Sequence, residues 1–357
     1  TKLVVERRST GTRDAASGEP IFEYEVVEDF AILGGTSTNC AGGEMPYKRW
    51  VTCEEVVKRS ESGKKHGYIF EIDAYATSPV PAAPVLSAGR MMHEAVAWRN
   101  GVLYLTEDRF LDTDPVLERI GACFYRFIPT RRPTRSTSLA AGGSVLQALK
   151  LKKEFHADMD AGRKVGKPYP VEWVTVDTPD HDDDTDNRRD RVPGFTPTRI
   201  QAQDKGAACF NRLEGAWGVG SGSNARVYFD CTTGGEAHLG QVWELDIHAQ
   251  TITLIYESQN PETLRNPDNM VMVPQTGDLF LCEDGGGPYF IRGLTWKGGI
   301  YDFARTNNNQ TEFCGACFDR GGHTLFVNQQ GTWGSLPDGP AEARAADTLG
   351  PGSEVVR

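Results

Sequence analysis

The stretch HEAVAWRNGVLYLTED (93–108) reads as two apolar strands hinged on Asn100-Gly101, the second ending on the acids Glu107 and Asp108. Asn-Gly between apolar runs is a strong short-range hairpin signal. The same plan returns as RLEGAWGVG (212–220) before ARVYFDCT (225–232), as NMVMVPQTG (269–277) before DLFLCED (278–284), and as GACFDRGG (315–322) before TLFVNQQ (324–330). A further strand follows most of these pairs, namely CFYRFIP (123–129), QVWELDI (241–247) and GIYDFA (299–304), and WVTCEE (50–55) precedes GYIFEID (67–73) in the same way. Each unit therefore carries roughly three to four strands, and Tyr228, Phe280 and Phe326 recur about every 50 residues, close to the period of a propeller blade.

These repeats predict an all-β fold, a β-propeller of about six blades formed by residues 1–357 as one domain. A two-sheet sandwich would also alternate strands and turns, but it would not repeat an acidic exit at one phase of the strand. Residues 130–205 interrupt the pattern and read as an insertion between blades. Within them SVLQALKLKKEF fits a short helix or a strand pair. TPDHDDDTDNRRDR lacks the glycine and distal glutamate of an EF-hand loop and is expected to be a solvated acidic loop.

Composition agrees with many short strands: 39 Gly and 20 Pro stand among only 39% hydrophobic residues. The net charge of -11 argues against nucleic acid and anionic membranes as partners, and a phosphate-bearing substrate would need bound cations to reverse the local sign. No run approaches the roughly 20 apolar residues of a membrane span, and TKLVVERRST lacks the apolar core of a secretory signal. The eight cysteines are scattered except for Cys314 and Cys317, so buried free thiols are expected rather than a disulfide framework. CGAC (314–317) has no second ligand pair for zinc and no βαβ setting for redox chemistry.

In a propeller, residues at one phase of each blade converge on the mouth of the central channel. The residues at that phase include Cys40, Glu54, Glu55, Glu94, Glu107, Asp108, Glu214, Asp268, Glu283, Asp284 and Glu312. So many carboxylates around one opening repel one another unless cations neutralise them. Hard oxygen donors of this kind suit calcium, magnesium, manganese or ferric iron. NCAGG (39–43) sets Cys40 in a glycine-rich turn where a thiolate could reach a metal, and NRLEG (211–215) sets Arg212 two residues from Glu214, a spacing that points both to one strand face. An Arg beside a metal carboxylate suits phosphate, because the guanidinium binds two oxygens while the metal polarises another.

GGTSTNCAGGEMPYKRWVTCEE, HGYIFEID, GRMMHEAVA, YLTED, FYRF, NRLEGAW, GQVWELD, NPDNMVMVPQTGDLFLCEDG and LFVNQQ, in that order, resemble the PhoX-type alkaline phosphatases and their DUF839 relatives over about residues 34–330. The resemblance implies a propeller with a mixed iron and calcium centre that hydrolyses phosphate monoesters, in proteins placed in the periplasm or secreted. It implies that Cys40 and Glu94 are iron ligands, that Glu214 binds metal, that Arg212 is the catalytic and substrate-binding residue for the phosphate, and that Glu283 or Asp284 binds calcium. This chain departs from the family pattern in three places. No Asn-His-Glu motif occurs, Met45-Pro46-Tyr47-Lys48 stands where relatives read TPWG, and Leu213 replaces the proline of Arg-Pro-Glu. The alternative expectation is a non-catalytic propeller that has lost the full metal site and binds a protein partner or assembles with itself.

Overall fold

The computed structural model describes residues 1–134, 138–141, 143–306 and 311–330. It is a β-propeller. Short strands separated by glycine-rich turns pair antiparallel, each sheet running outward from an inner strand. Among the described residues the inner strands are Asn39–Met45, His93–Arg99, Leu213–Val219, Pro267–Met272 and Phe313–Phe318, and consecutive ones pack side by side in that order. The last four correspond to the first members of the sequence repeat, whereas Asn39–Met45 is a strand where the sequence predicts a glycine-rich turn at NCAGG. The second members, such as Val102–Glu107 and Leu279–Glu283, form the next strand out.

Inner strands approach closely because two glycines leave room for a neighbour's backbone. A Cβ on Gly43 would lie 2.0 Å from the Val96 carbonyl oxygen, and one on Gly215 would lie 2.5 Å from that of Asp268. The spaces between sheets are filled by apolar residues at alternate strand positions. Phe124 of the second sheet stacks on Phe229 of the third at 4.1 Å between centroids, and Phe210 meets Trp243 edge-on. Cys53, Cys123, Cys209, Cys231 and Cys282 are buried free thiols in this packing.

The segment that breaks the repeat contributes to the sheets. SVLQALKL forms the strand Ser144–Leu151, the outer neighbour of Tyr125–Pro129. Pro168–Thr175 pairs with Ser144–Leu151 on one side and with Thr251–Glu257 on the other, joining the outer edges of two blades into a nine-stranded sheet. The acidic stretch after it differs from the solvated loop its composition predicts. Asp183 accepts the backbone amides of Asn187 and Arg188 at 2.8 and 2.9 Å, Asp184 pairs with the buried Arg90 at 2.7 Å, and the buried Asp186 pairs with Arg199. Arginines brought in by the fold and free turn amides hold these carboxylates, which counting acids alone does not reveal.

The hairpin Lys2–Arg13/Pro20–Phe30 lies beside the last described sheet, with the Tyr24 hydroxyl 2.7 Å from that of Thr324 and its ring edge-on to Phe326. No helix among the described residues is long and apolar enough to cross a membrane.

Candidate metal centre

Four inner strands carry a register shift at the same end, and a candidate ligand sits within each. The shifts fall between Asn39 and Gly42, His93 and Val96, Leu213 and Ala216, and Pro267 and Asn269. They enclose Cys40, Glu94, Glu214 and Asp268. A bulge sets two residues against one on the partner strand and re-aims a side chain away from the regular pleat. Here the four re-aimed side chains converge on the mouth of the ring.

A second set of donors follows the next strand out, in the acidic pairs Glu54-Glu55, Glu107-Asp108 and Glu283-Asp284. Successive residues of an extended chain face opposite ways, and this parity divides each pair. Glu54 turns into its blade, where it meets His66 Nδ1 at 2.7 Å and accepts the amides of Gly67 and Ser37. Glu107 accepts from the Tyr125 hydroxyl at 2.9 Å and from the Cys123 amide. Glu283 accepts from Arg292 Nε at 2.8 Å and from the Arg265 amide at 2.9 Å. Glu55, Asp108 and Asp284 face the mouth instead.

Three groups of donors result, each with its ligand atoms within 4.8 Å of one another: Cys40, Glu55 and Glu94; Glu94, Glu214 and Asp268; and Asp268, Asp284 and Glu312. Glu94 and Asp268 each belong to two groups, so the three form a row of adjoining positions. The structure thus brings together Cys40, Glu94, Glu214 and Asp284 of the residues singled out from the sequence. Glu283 is the exception: it is engaged with Arg292 and lies outside all three groups. Changing Glu283 to Gln is expected to destabilise the fold by on the order of 3 kcal/mol, since it leaves the buried Arg292 undercompensated. Metal content should stay unchanged, which chemical denaturation and elemental analysis would check.

The electrostatics of the row favour protons or cations among its oxygens. Burial pushes the carboxyl of Glu55 up to about 8, with nearby Asp108 adding to the shift. Burial and then Asp284 push Asp268 up to about 7, and burial and Asp284 push Glu312 up to about 9. Burial and the neighbouring acids likewise raise Glu94 and Glu214 well above the carboxylate range, and burial, then Glu94, raises the Cys40 thiol. Neither oxygen of Glu94 has a hydrogen-bond partner among the described residues. A buried, unpartnered carboxylate among mutually repelling acids and one thiol is a donor set that suits bound cations.

Arg212 is the cationic side chain that reaches this row. It precedes its inner strand with φ at 51° and donates its amide to the Arg109 carbonyl at 2.9 Å. Its Nε donates to Asp108 at 3.1 Å, Nη2 forms an ion pair with Glu214 at 2.6 Å, and Nη1 lies 3.7 Å from Asp284. Burial works against its charge, but Glu214 and Asp108 outweigh it and hold its pKa above the ordinary value. His93 points away into the fold: Nε2 meets the Gly89 carbonyl at 2.9 Å, and burial drives its pKa down to about 4, leaving it neutral.

Glu55, Asp268 and Glu312 complete the groups and were legible in the sequence only as members of a long acidic set. Parity within the acidic pairs is the signal that separates Asp284 from Glu283 and Glu55 from Glu54.

The mouth of this propeller thus gathers adjoining carboxylate groups, a thiol and a half-buried arginine, donors suited to cations beside a fork suited to an anion. The alkaline phosphatase PhoX family model matches residues 4–332, and the chain belongs to that family. Among solved structures it is similar to Pseudomonas fluorescens PhoX in complex with vanadate, described as a transition state analogue, with a TM-score of 0.57 at 15% identity, covering 89% of this chain and 67% of that one. No curated protein matches.

Proposed function

We propose that this protein is a metal-dependent phosphatase that hydrolyses phosphate monoesters at an iron and calcium centre in the propeller mouth. The convergence of Arg212 with three ligand-sharing carboxylate groups carries this reading. Cys40, Glu55 and Glu94 would hold one ion, and the soft thiolate among hard oxygens fits iron there. Asp268, Asp284 and Glu312 offer oxygen alone and fit calcium. Bound cations supply Lewis acidity and neutralise the carboxylates, so that a phosphate can enter.

The chain's own groups do the positioning. Asp108 accepts from Arg212 Nε and, more distantly, from Nη2, which orients the guanidinium plane. Glu214 holds Nη2 and keeps the guanidinium above the ligand row, so Nη1, with Asp284 only at 3.7 Å, is the donor a phosphoryl oxygen would take. In the overall hydrolysis the oxygen of water becomes bonded to phosphorus, the ester P–O bond breaks, and the departing oxygen leaves as an alcohol carrying a proton from that water.

Arg212→Ala is expected to lower kcat/KM for p-nitrophenyl phosphate by about 10²–10³, the usual effect of removing one preorganised donor to developing negative charge. Iron and calcium, measured by elemental analysis, should remain. A wild-type protein that binds neither metal and turns over no monoester would overturn the proposal.

A further inference from the structure

Phe110 lies two residues beyond Asp108, at the lip of the candidate centre. Its side chain is 63% exposed, yet the segment that carries it is firmly placed. Asp108 donates its amide to the Met92 carbonyl, the Arg109 carbonyl accepts the Arg212 amide at 2.9 Å, and the Leu111 amide is held by Asn211 Oδ1. The ring faces the guanidinium of Arg212, with 4.9 Å from guanidinium carbon to ring centroid. An exposed, positioned aromatic surface therefore adjoins a guanidinium that reaches the ligand row.

We infer that Phe110 is a specificity-determining residue that selects phosphate monoesters with an uncharged aromatic leaving group. The inference rests on the phosphatase reading above. A phosphoryl group held by Arg212 would direct its ester oxygen away from the carboxylates, toward the lip where Phe110 stands. An aryl group on that oxygen can lie against the exposed part of the ring, in offset or edge-to-face contact.

The charges around the lip favour a neutral leaving group over a second anion. Arg109 is engaged by Asn187 at 2.8 Å and Asp186 at 3.5 Å, and Arg189 is engaged by Asp112 at 2.6 Å. A second anionic group would have to displace these carboxylates, whereas an aromatic ring needs only the apolar face that is already present.

The test compares the metal-loaded wild type with Phe110→Ala and Phe110→Trp, using phenyl phosphate and glycerol 2-phosphate as substrates. Calorimetric binding of phenylphosphonate and methylphosphonate is measured in parallel. Phe110→Ala is expected to lower the ratio of kcat/KM for phenyl over glycerol phosphate about tenfold, and the preference for phenylphosphonate by a similar factor, while Phe110→Trp retains both. Any disturbance of Arg212 through the lost ring contact acts on both members of each pair and cancels in the ratio. An equal loss for both substrates and both phosphonates would overturn the inference. Phe110-dependent preference for phenylphosphonate in a protein that hydrolyses neither ester would support the aromatic platform and remove the phosphatase reading. Turnover of both esters with no aromatic preference at Phe110 would do the reverse.

Discussion

Replacing Glu94 with alanine is expected to abolish phosphomonoester turnover, by about 10⁴-fold or more, and to empty at least two cation positions together. Glu94 belongs both to the group with Cys40 and Glu55 and to the group with Glu214 and Asp268, and neither of its oxygens has a hydrogen-bond partner among the described residues. Its removal therefore strips a donor from two neighbouring ions, whereas loss of Glu55 or Glu312 strips one from one. Glu94→Gln separates this from misfolding. The amide keeps the volume of the side chain and cannot ionise, so at alkaline pH the metal-stripped form of that variant should be more stable than stripped wild type, whose Glu94 must there take on a buried charge, even as turnover is lost. Elemental analysis, p-nitrophenyl phosphate turnover and thermal melts read the three effects. A Glu94→Gln protein with wild-type metal content and rate would show that the row of ligands is not the working centre.

Removing metal from the wild type should lower the melting temperature by about 10 °C or more at alkaline pH, because metal-binding free energy is in part folding free energy here. The pH dependence of the stripped protein has a defined sign. Glu55, Asp268 and Glu312 carry folded-state pKa values raised to about 8, 7 and 9, above the ordinary carboxylate range. Groups shifted in this direction contribute most stability below their unfolded pKa, near about 4, and lose it as pH rises through the folded values. The stripped protein should therefore melt progressively lower between about pH 5 and 9. The loaded protein should show the opposite trend at the acidic end, where protons compete with cations for the same oxygens. Scanning fluorimetry with and without chelator across that range reads both curves. A stripped protein whose melting temperature rises toward pH 9 would contradict the assigned burial and repulsion of these acids.

The propeller was legible in the chain because strand, turn and acidic exit repeat at one period, and because apolar residues alternate along strands that pack on both faces. The candidate centre was legible as a population of acids at the right phase, with Cys40, Glu94, Arg212 and Glu214 distinguished by their short motifs. What did not show was which member of each acidic pair turns inward. That depends on the strand register at its last residue, and Glu283 illustrates it: Arg292, from the next strand out, claims its carboxylate. The strand Pro168–Thr175 was hidden because its partners, Ser144–Leu151 and Thr251–Glu257, are set by contacts distant in sequence rather than by local repetition. The paired carboxylates of the 180–190 stretch were hidden for the same reason: Arg90 and Arg199 reach them through the fold.

The last described inner strand bears the same backbone irregularity as the other four, between Cys314 and Cys317, but there it holds Gly315 at φ 61°. The residues within this kink are Gly315 and Ala316, neither of which carries a donor, so this blade presents no carboxylate from it. Glu312, on the approach to the strand, substitutes for it, and Asp284 reaches in from the neighbouring blade. The cage is consequently uneven from one side to the other. The first niche draws two donors from kinked strands, Cys40 and Glu94, the second draws all three, and the third only Asp268, beside Asp284 and Glu312 from outside the strands.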